Sequence, residues 1–396
     1  MRAILRFKAA LLGLIVLGAM GLAHGQEIKV GGIFDLTGIT SDVGKPFAQG
    51  IRDYVELTNT GGGINGKKIK LIDVDYGYKI PEAVAAYKRM VGDEQVVMIS
   101  GWGTGDTEAL KNFVNKDKIP YFSASVSAHL TDPDKTPFNF FVGSSYSDQL
   151  RAWLSWVKED WKDSSRKPRV SFIFGDNPYG RSPLVAGKAY AQELGIDVAS
   201  EEVVPGNFQD ATSQLLNMQK SNTDYAYINV TTTGASIILK DAQKLGLKIK
   251  FGSNPYGFSE KLPEVARATA EGVTGVMPHV PYGTDVPGMK AILDFNKGKT
   301  PKSSLDAIYV RGWATAMVWV EALKRADKAG KLNGEGIKAA METMSDFSVG
   351  GLAPNLTYTA TDHRPSTRTP IYKVQNGKLV KVKEYDLPRK KEWLGM

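Results

Sequence analysis

The feature that most constrains the fold is a regular alternation of short apolar runs with amphipathic segments. In the first third of the chain, segments with helical periodicity separate the apolar runs IKVGGIF (28–34), KIKLIDVD (68–75) and VVMIS (96–100). Strands that alternate with helices form mostly parallel sheets, and these strands are apolar because helices cover both faces of the sheet. The sequence therefore predicts the α/β class.

The same alternation begins again after residue 144. A helical segment at 145–161 precedes the strand-like run RVSFIFG (169–175), and the pattern continues to about residue 253. A chain of 396 residues can form two domains with separate cores. No low-complexity linker separates the two units, which favours lobes joined by short segments that act as a hinge. The tail predicts a β-hairpin that turns at Asn376-Gly377.

The first 25 residues have the organisation of a secretory signal. The basic start MRAILRFK is followed by an apolar stretch, Ala9–Met20, and then by small residues. This stretch is short for a bilayer crossing, which favours a cleaved signal over an uncleaved anchor. We therefore expect cleavage near Gly25-Gln26 and a mature protein in the periplasm.

Composition argues against several classes of protein. The chain has no cysteine, so a disulfide framework, a cysteine nucleophile and a lipid-bearing cysteine are excluded. The formal charge of +8 includes no Lys/Arg block, which gives little support to a nucleic-acid partner. The four histidines are far apart and match no metal-ligand spacing. We expect no metal, no cofactor and no catalytic residue.

The segments that follow the expected strands are rich in Ser, Thr, Gly and Tyr. They are FDLTG, DYGY, SGWGTGD, SASVS, FGDNPYG, NVTTTG and GSNPYG. In open α/β sheets, ligands bind beyond the carboxyl ends of the strands. These loops can hydrogen-bond a small polar ligand and stack on its apolar part, but they are poorly equipped for proton transfer or nucleophilic attack.

The loop SGWGTGDTEAL (100–110) leads from an apolar run into a helix. Its glycines are spaced GxGxG rather than GxGxxG, and no lysine follows them. Asp106 follows the last glycine, and its carboxylate would repel a phosphate there. Nucleotide binding is therefore disfavoured.

Seven segments, in their order and spacing, carry a resemblance to a known family. They are IKVGGIFDLTG, GGGINGKKIKLIDVD, GDEQVVMISG, IPYFSASVSAHL, GDNPYGRS, DAQKLGLKIKFGS and AEGVTGVMP. From Glu27 to about Tyr385 the chain resembles the periplasmic solute-binding proteins of type I fold, in the branch that includes leucine/isoleucine/valine-binding proteins. The resemblance implies two lobes in a Venus-flytrap arrangement, a ligand in the cleft between them, and docking to the permease of an ABC importer.

The resemblance also implies three hinge crossovers, so each lobe is expected to be discontinuous in sequence. The first lobe is expected to comprise residues 26–143 and 277–350, and the second residues 144–276 and 351–396. The crossovers are expected near 142–145, 272–278 and 349–354.

The family's ligand contacts match residues of the first lobe. Thr104, followed by Gly105 and Asp106, matches the residues that hold the ligand's carboxylate, and Ser125 and Ser127 match two further contacts. Because a helix N-terminus supplies free N–H groups and partial positive charge, a carboxylate needs no lysine here. We expect this loop to hold a small polar or anionic head group.

The second lobe departs from the family pattern. Tyr179 matches a tyrosine that often covers the ligand, whereas Thr231 stands where the family has another tyrosine. Asn254, Pro255 and Tyr256 lie where an acidic residue should receive the ligand's amino group. A buried ammonium without a carboxylate is costly, which argues against a branched-chain amino acid.

Aromatic residues concentrate around the expected cleft, and they leave the ligand's identity open. They are Tyr76, Tyr78, Trp102, Tyr179 and Tyr256. Trp102 lies between glycines that offer little packing, which favours a role in binding. An aromatic acid or a short amide therefore competes with an amino acid as the ligand, although Asp106 or Asp75 of the first lobe could hold an ammonium.

The sequence predicts a monomeric, two-lobed periplasmic protein that binds an amino acid, aromatic acid or short amide and delivers it to ABC permease subunits. No enzymatic activity is expected. The alternatives are a ligand-sensing subunit for a receptor and, with less support, an exported hydrolase, for which an acid/base set is missing.

Overall fold

The computed structural model describes residues 27–396, so the expected signal peptide and its cleavage position lie outside the described residues. The strands are β1 (Ile28–Phe34), β2 (Ile69–Asp75), β3 (Ile99–Gly101), β4 (Tyr121–Ser123), β5 (Asn139–Phe140), β6 (Arg169–Gly175), β7 (Asp197–Val204), β8 (Tyr225–Asn229), β9 (Lys250–Ser253), β10 (Thr274–Val276), β11 (Arg368–Gln375) and β12 (Lys378–Asp386). The α-helices are α1 (Ser41–Thr60), α2 (Ile80–Gly92), α3 (Thr104–Asp117), α4 (Tyr146–Asp160), α5 (Pro178–Arg181), α6 (Leu184–Glu193), α7 (Thr212–Lys220), α8 (Thr232–Lys244), α9 (Lys261–Ala266), α10 (Pro287–Asn296), α11 (Ala307–Lys328) and α12 (Gly334–Glu342). Short 3-10 helices span Ala128–Leu130, Arg267–Ala270 and Lys391–Trp393. Between residues 27 and 396, none of the helices combines the length and apolar character that a bilayer crossing needs.

The first sheet is built from β1 to β5, and its strands are all parallel. Their spatial order is β2-β1-β3-β4-β5. Strand β1 pairs on both edges and is almost entirely buried, which explains why its sequence is apolar rather than alternating. This confirms the expected α/β class.

The second sheet repeats the arrangement of the first and extends it. Its order is β12-β11-β10-β9-β8-β6-β7, in which β6 to β10 are parallel and the last two strands are antiparallel. The hairpin expected in the tail is confirmed. Asn376 and Gly377 have φ values of 52° and 71°, as a type I′ turn requires.

Helices α1 and α11 touch each other at two glycines. A Cβ on Gly50 would lie 2.2 Å from the carbonyl oxygen of Tyr309, and one on Gly312 would lie 2.0 Å from that of Phe47. Only glycine lets two backbones approach this closely. Trp313, which directly follows Gly312, is fully buried, so α11 contributes to the core.

The segment after residue 354 contacts the first sheet before it reaches the second. Leu356 and Tyr358 pack in the same core as the first sheet, and the Tyr358 hydroxyl donates to the carbonyl of Phe141 at 2.7 Å. The chain enters the second sheet only at Arg368. The apolar residues that follow 349–354 thus still contact the first sheet, and the crossing expected there stays a prediction. The other lobe boundaries stay a prediction.

Candidate functional site

The candidate site lies where the strand order of each sheet reverses. This point falls between β1 and β3 in the first sheet, and between β6 and β8 in the second. Ligands of open α/β sheets bind in the crevice at such a point, because the loops that leave the two strands diverge there. Residues after all four strands line adjoining cavities, so the two crevices form one cleft.

A small cavity in this cleft is enclosed mainly by aromatic side chains. Its lining consists of Thr40, Val43, Tyr78, Trp102, Gly103, Thr104, Tyr146, Tyr179, Thr231 and Tyr256. The ring centroids of Trp102 and Tyr256 are 5.4 Å apart, as are those of Tyr146 and Tyr179. The enclosed space is about 20 Å³, enough for about one water molecule. The lobes are therefore closed on this aromatic cluster.

A larger cavity of about 220 Å³ adjoins the small one and shares Thr40, Tyr179 and Thr231 with it. Its other apolar lining residues are Ile39, Pro205, Phe208, Val230 and Ile237. The first of these belongs to the loop after β1, and the rest belong to the second lobe. A ligand body too large for the aromatic cluster has an apolar space into which it can extend.

Two hydroxyl groups lie together at the start of α3. The side-chain oxygens of Thr104 and Ser125 are 2.7 Å apart, and both residues are almost completely buried. The hydroxyl of Tyr146 lies beside both of them, and the Ser125 oxygen also accepts a long hydrogen bond of 3.4 Å from the N–H of Ser127. These hydroxyls form a polar cluster beside the N-terminus of a 14-residue helix, where a negatively charged group is stabilised.

Two of the residues expected in the site lie at contacts between the lobes, outside the lining of both cavities. The Ser127 hydroxyl is 2.8 Å from that of Ser182 in the second lobe. A Cβ on Gly105 would lie 3.3 Å from Ile80 and 3.8 Å from Pro178, the first residue of α5. Ser127 and Gly105 therefore belong to the surfaces of the two lobes that are in contact in this structure.

Asp106 and Tyr76 lie behind the cavity wall. Asp106 accepts hydrogen bonds from the Tyr76 hydroxyl at 2.8 Å and from the backbone N–H of Gly103 at 3.2 Å, so it caps α3. Burial raises the pKa of Asp106 to about 7, although these hydrogen bonds act in the opposite direction. Asp75 is exposed and accepts hydrogen bonds from residues 36–37. Neither carboxylate lines the described cavities, where an ammonium group would need it.

Trp102 is fixed by a chain of hydrogen bonds. Its indole N–H donates to the Thr40 hydroxyl at 2.8 Å, and that hydroxyl donates to the buried carboxylate of Asp35 at 2.6 Å. The Trp102 ring also packs against Phe47 and Tyr256. The indole therefore has one defined position, with part of its surface turned to the small cavity.

The second lobe contributes hydroxyl and amide groups rather than an acid. The Tyr179 hydroxyl donates to the side-chain oxygen of Asn254 at 2.7 Å, and the Asn254 amide donates to two backbone carbonyls. The Tyr256 hydroxyl donates across the cleft to the carbonyl of Ala124 at 2.6 Å. Thr231 is half-buried, stands at the N-cap of α8 and lines both cavities. Asn254 therefore serves the internal structure of its own lobe.

Direct hydrogen bonds hold the two lobes together. Asp42 in the first turn of α1 accepts from the N–H of Thr233 at 2.9 Å and from its hydroxyl at 2.8 Å. The contacts of Tyr256 and Ser127 cross the cleft in the same way. The structure is thus a closed arrangement of the two lobes.

Several residues in or beside the small cavity are not predicted from the sequence. Thr40 and Val43 flank the start of α1, Tyr146 begins α4 directly after the first crossing, and Arg311 lies on α11 against the ring of Tyr256. A charged residue within an apolar helix is a signal that could have identified Arg311. The other three belong to segments that only the tertiary fold brings to the cleft.

Other acids, half-buried or buried, cap and connect backbone groups. Glu260 accepts from the backbone N–H of Ala307 at 2.9 Å, and burial raises its pKa to about 7. Asp306 accepts from the first N–H groups of α11. Within the described range 27–396, no group of three His, Asp or Glu side chains is arranged to hold a metal ion.

Known proteins share this architecture over most of the chain. The periplasmic binding protein family matches residues 27–378. The Leu/Ile/Val-binding protein homolog 7 of Brucella abortus is 22% identical over 373 residues, which cover 90% of this chain and 91% of that protein.

Two solved structures resemble the fold closely. A substrate-binding protein of an ABC transporter from Aeropyrum pernix has a TM-score of 0.86 and 28% identity, over 93% of this chain and 98% of that one. A branched-chain amino acid ABC transporter protein from Thermus thermophilus with bound valine has a TM-score of 0.85 and 24% identity, over 91% of this chain and 96% of that one. With two doubly wound lobes and a family match over 27–378, this chain belongs to the periplasmic binding protein family.

Proposed function

We propose that this protein is the substrate-binding component of an ABC importer, exported to the periplasm, and that it captures a small organic carboxylate or amide in its cleft. The observation that carries the proposal is the cleft itself, in which paired hydroxyls at a helix N-terminus face aromatic rings from both lobes. Delivery to a membrane permease follows from the family's mode of action. Family members of this kind bind their ligands without transforming them.

The head-group end of the ligand is proposed to lie at Thr104 and Ser125. Two hydroxyls and the N–H groups of α3 suit the two oxygens of a carboxylate or the single oxygen of an amide. A ligand oxygen that accepts several hydrogen bonds in the site loses little free energy when it leaves water. Trp102 and Tyr256 are proposed to pack against the apolar body of the ligand.

An α-ammonium group finds less support in this cleft than a carboxylate does. The small cavity has no acidic side chain in its described lining. Asp35 and Asp106, the buried acids behind the wall, already accept hydrogen bonds from Thr40 and Tyr76. Ring faces can stabilise a cation, but a partner carboxylate normally offsets more of the desolvation cost.

The relatives supply the competing candidate for the ligand. The Brucella abortus protein is named for leucine, isoleucine and valine, and the Thermus thermophilus structure contains valine. A branched-chain amino acid would fit the same carboxylate anchor, so the two candidates differ at the ammonium group. The two candidate ligand classes can therefore be distinguished by the charge of the ligands that bind.

A fluorescence titration with leucine, phenylacetate and phenylacetamide tests the proposal. We expect phenylacetate to bind at least as tightly as leucine, because the lining offers ring surface and no carboxylate. The emission of Trp102 should change on binding, since its indole borders the cavity. The response should disappear in Trp102→Phe and persist in Trp156→Phe, which alters a tryptophan outside the cleft. Binding confined to leucine, isoleucine and valine would contradict the proposed ligand class.

A further inference from the structure

Arg311 is a buried cation behind Tyr256 in the wall of the small cavity, and it does not itself line either described cavity. The residue is 2% exposed and lies on the second turn of α11. One guanidinium nitrogen, Nη2, donates to the carbonyl of Ala124 at 2.9 Å, and the group lies 4.5 Å from the ring centroid of Tyr256. The other terminal nitrogen, Nη1, is buried and has no hydrogen-bond partner within residues 27–396.

No acid described in the structure neutralises this charge. Among residues 27–396, no Asp or Glu oxygen lies within ion-pair distance of Arg311, although the chain forms many such pairs elsewhere. His279 lies nearby, but burial and the charge of Arg311 hold its pKa well below the usual range, so it remains neutral. A buried cation without a counter-charge is costly, and an unpaired buried N–H adds to that cost.

The position of the guanidinium connects it to the proposed head-group anchor. Ala124, which accepts from Arg311, directly precedes Ser125 in the chain, and Ser125 pairs with Thr104. Tyr256, whose ring Arg311 contacts, lines the same cavity as Thr104. The positive charge therefore lies behind the part of the cavity wall that carries the paired hydroxyls.

We propose that Arg311 supplies the counter-charge for an anionic ligand and so determines the charge that the cleft accepts. The proposal rests on the proposed function and narrows it, since a monoanionic organic acid is preferred over a neutral amide of the same shape. A zwitterionic amino acid gains from Arg311 at its carboxylate but leaves its ammonium without an acidic partner. The preferred ligand is thus an organic acid without an ammonium group.

Phenylacetate and phenylacetamide form the test pair, because they have nearly the same shape but the head group is charged in the first and neutral in the second. Isothermal titration calorimetry of the wild-type protein should give an affinity at least tenfold higher for the acid. Arg311→Gln should lower the affinity for phenylacetate at least tenfold and leave that for phenylacetamide within about twofold. Arg311→Lys retains the charge and should keep the preference for the acid.

A purely structural role for Arg311 gives a different pattern. If Arg311 only supports closure through Tyr256 and Ala124, Arg311→Gln will weaken acid and amide equally, and the proposal is overturned. Equal affinities of the wild-type protein for the two compounds also overturn it, even if the variant does not fold. Wild-type protein that binds neither compound but binds leucine would contradict the proposed ligand class as well.

Discussion

Gly312→Ala is expected to destabilise the protein by about 3 kcal/mol or more, near the upper end of the usual cost of overpacking. The added Cβ would lie 2.0 Å from the carbonyl oxygen of Phe47. That neighbour is backbone, so it cannot rotate away as a side chain would. The helices α1 and α11 would have to move apart. Val43 on α1 and Arg311 on α11 would be displaced with them.

Urea unfolding followed by circular dichroism measures this effect. The midpoint for Gly312→Ala should fall clearly below that of the wild-type protein. Gly92→Ala is the matched control, because a Cβ at the exposed end of α2 meets no atom within 4 Å and should leave the midpoint nearly unchanged. Equal midpoints for the two variants would contradict the close packing of α1 on α11.

The double variant Thr104→Val, Ser125→Ala is expected to lose most of its affinity for phenylacetate. Each lost hydrogen bond to a buried, charged acceptor costs about 1.5–3 kcal/mol, so the loss of two should weaken binding by a factor of about 100 or more. Thr104→Val preserves the shape of the side chain, and the pair loses its mutual hydrogen bond of 2.7 Å. Folding stability should change much less than binding, because the two hydroxyls are removed together.

Calorimetry of the double variant requires a control that removes a hydroxyl elsewhere in the same lobe. Ser100→Ala serves this purpose, because Ser100 is fully buried in β3 and its hydroxyl makes no hydrogen bond among residues 27–396. The affinity of Ser100→Ala for phenylacetate should equal that of the wild-type protein. A double variant that folds and binds phenylacetate normally would remove Thr104 and Ser125 from the proposed site.

The fold could be predicted from the sequence because its signals are local. Apolar strands, amphipathic helices and the Asn376-Gly377 turn each follow from neighbouring residues. The third crossing could not be placed in this way. Leu356 and Tyr358 are apolar in either lobe, and only their packing shows which core they join.

Only part of the candidate site could be predicted, because some of its residues follow local sequence signals and others are positioned by tertiary packing. The loop after β3 is recognisable as a strand end, which favoured Trp102, and the family resemblance implied Thr104; both line the small cavity. The resemblance also implied Asp106, whose carboxylate turns back to cap its own helix. Tyr146 and Arg311 reach the cleft from distant helices, and their direction depends on tertiary packing.

Small-angle X-ray scattering with and without saturating phenylacetate tests the central claim most directly. In the closed arrangement the small cavity has a volume of about 20 Å³, much less than phenylacetate occupies, so we expect the ligand to reach this part of the cleft when the lobes separate. We expect a larger radius of gyration for the free protein and a compact profile with phenylacetate that matches the closed structure. Identical profiles for free and saturated protein would contradict capture by closure of the two lobes.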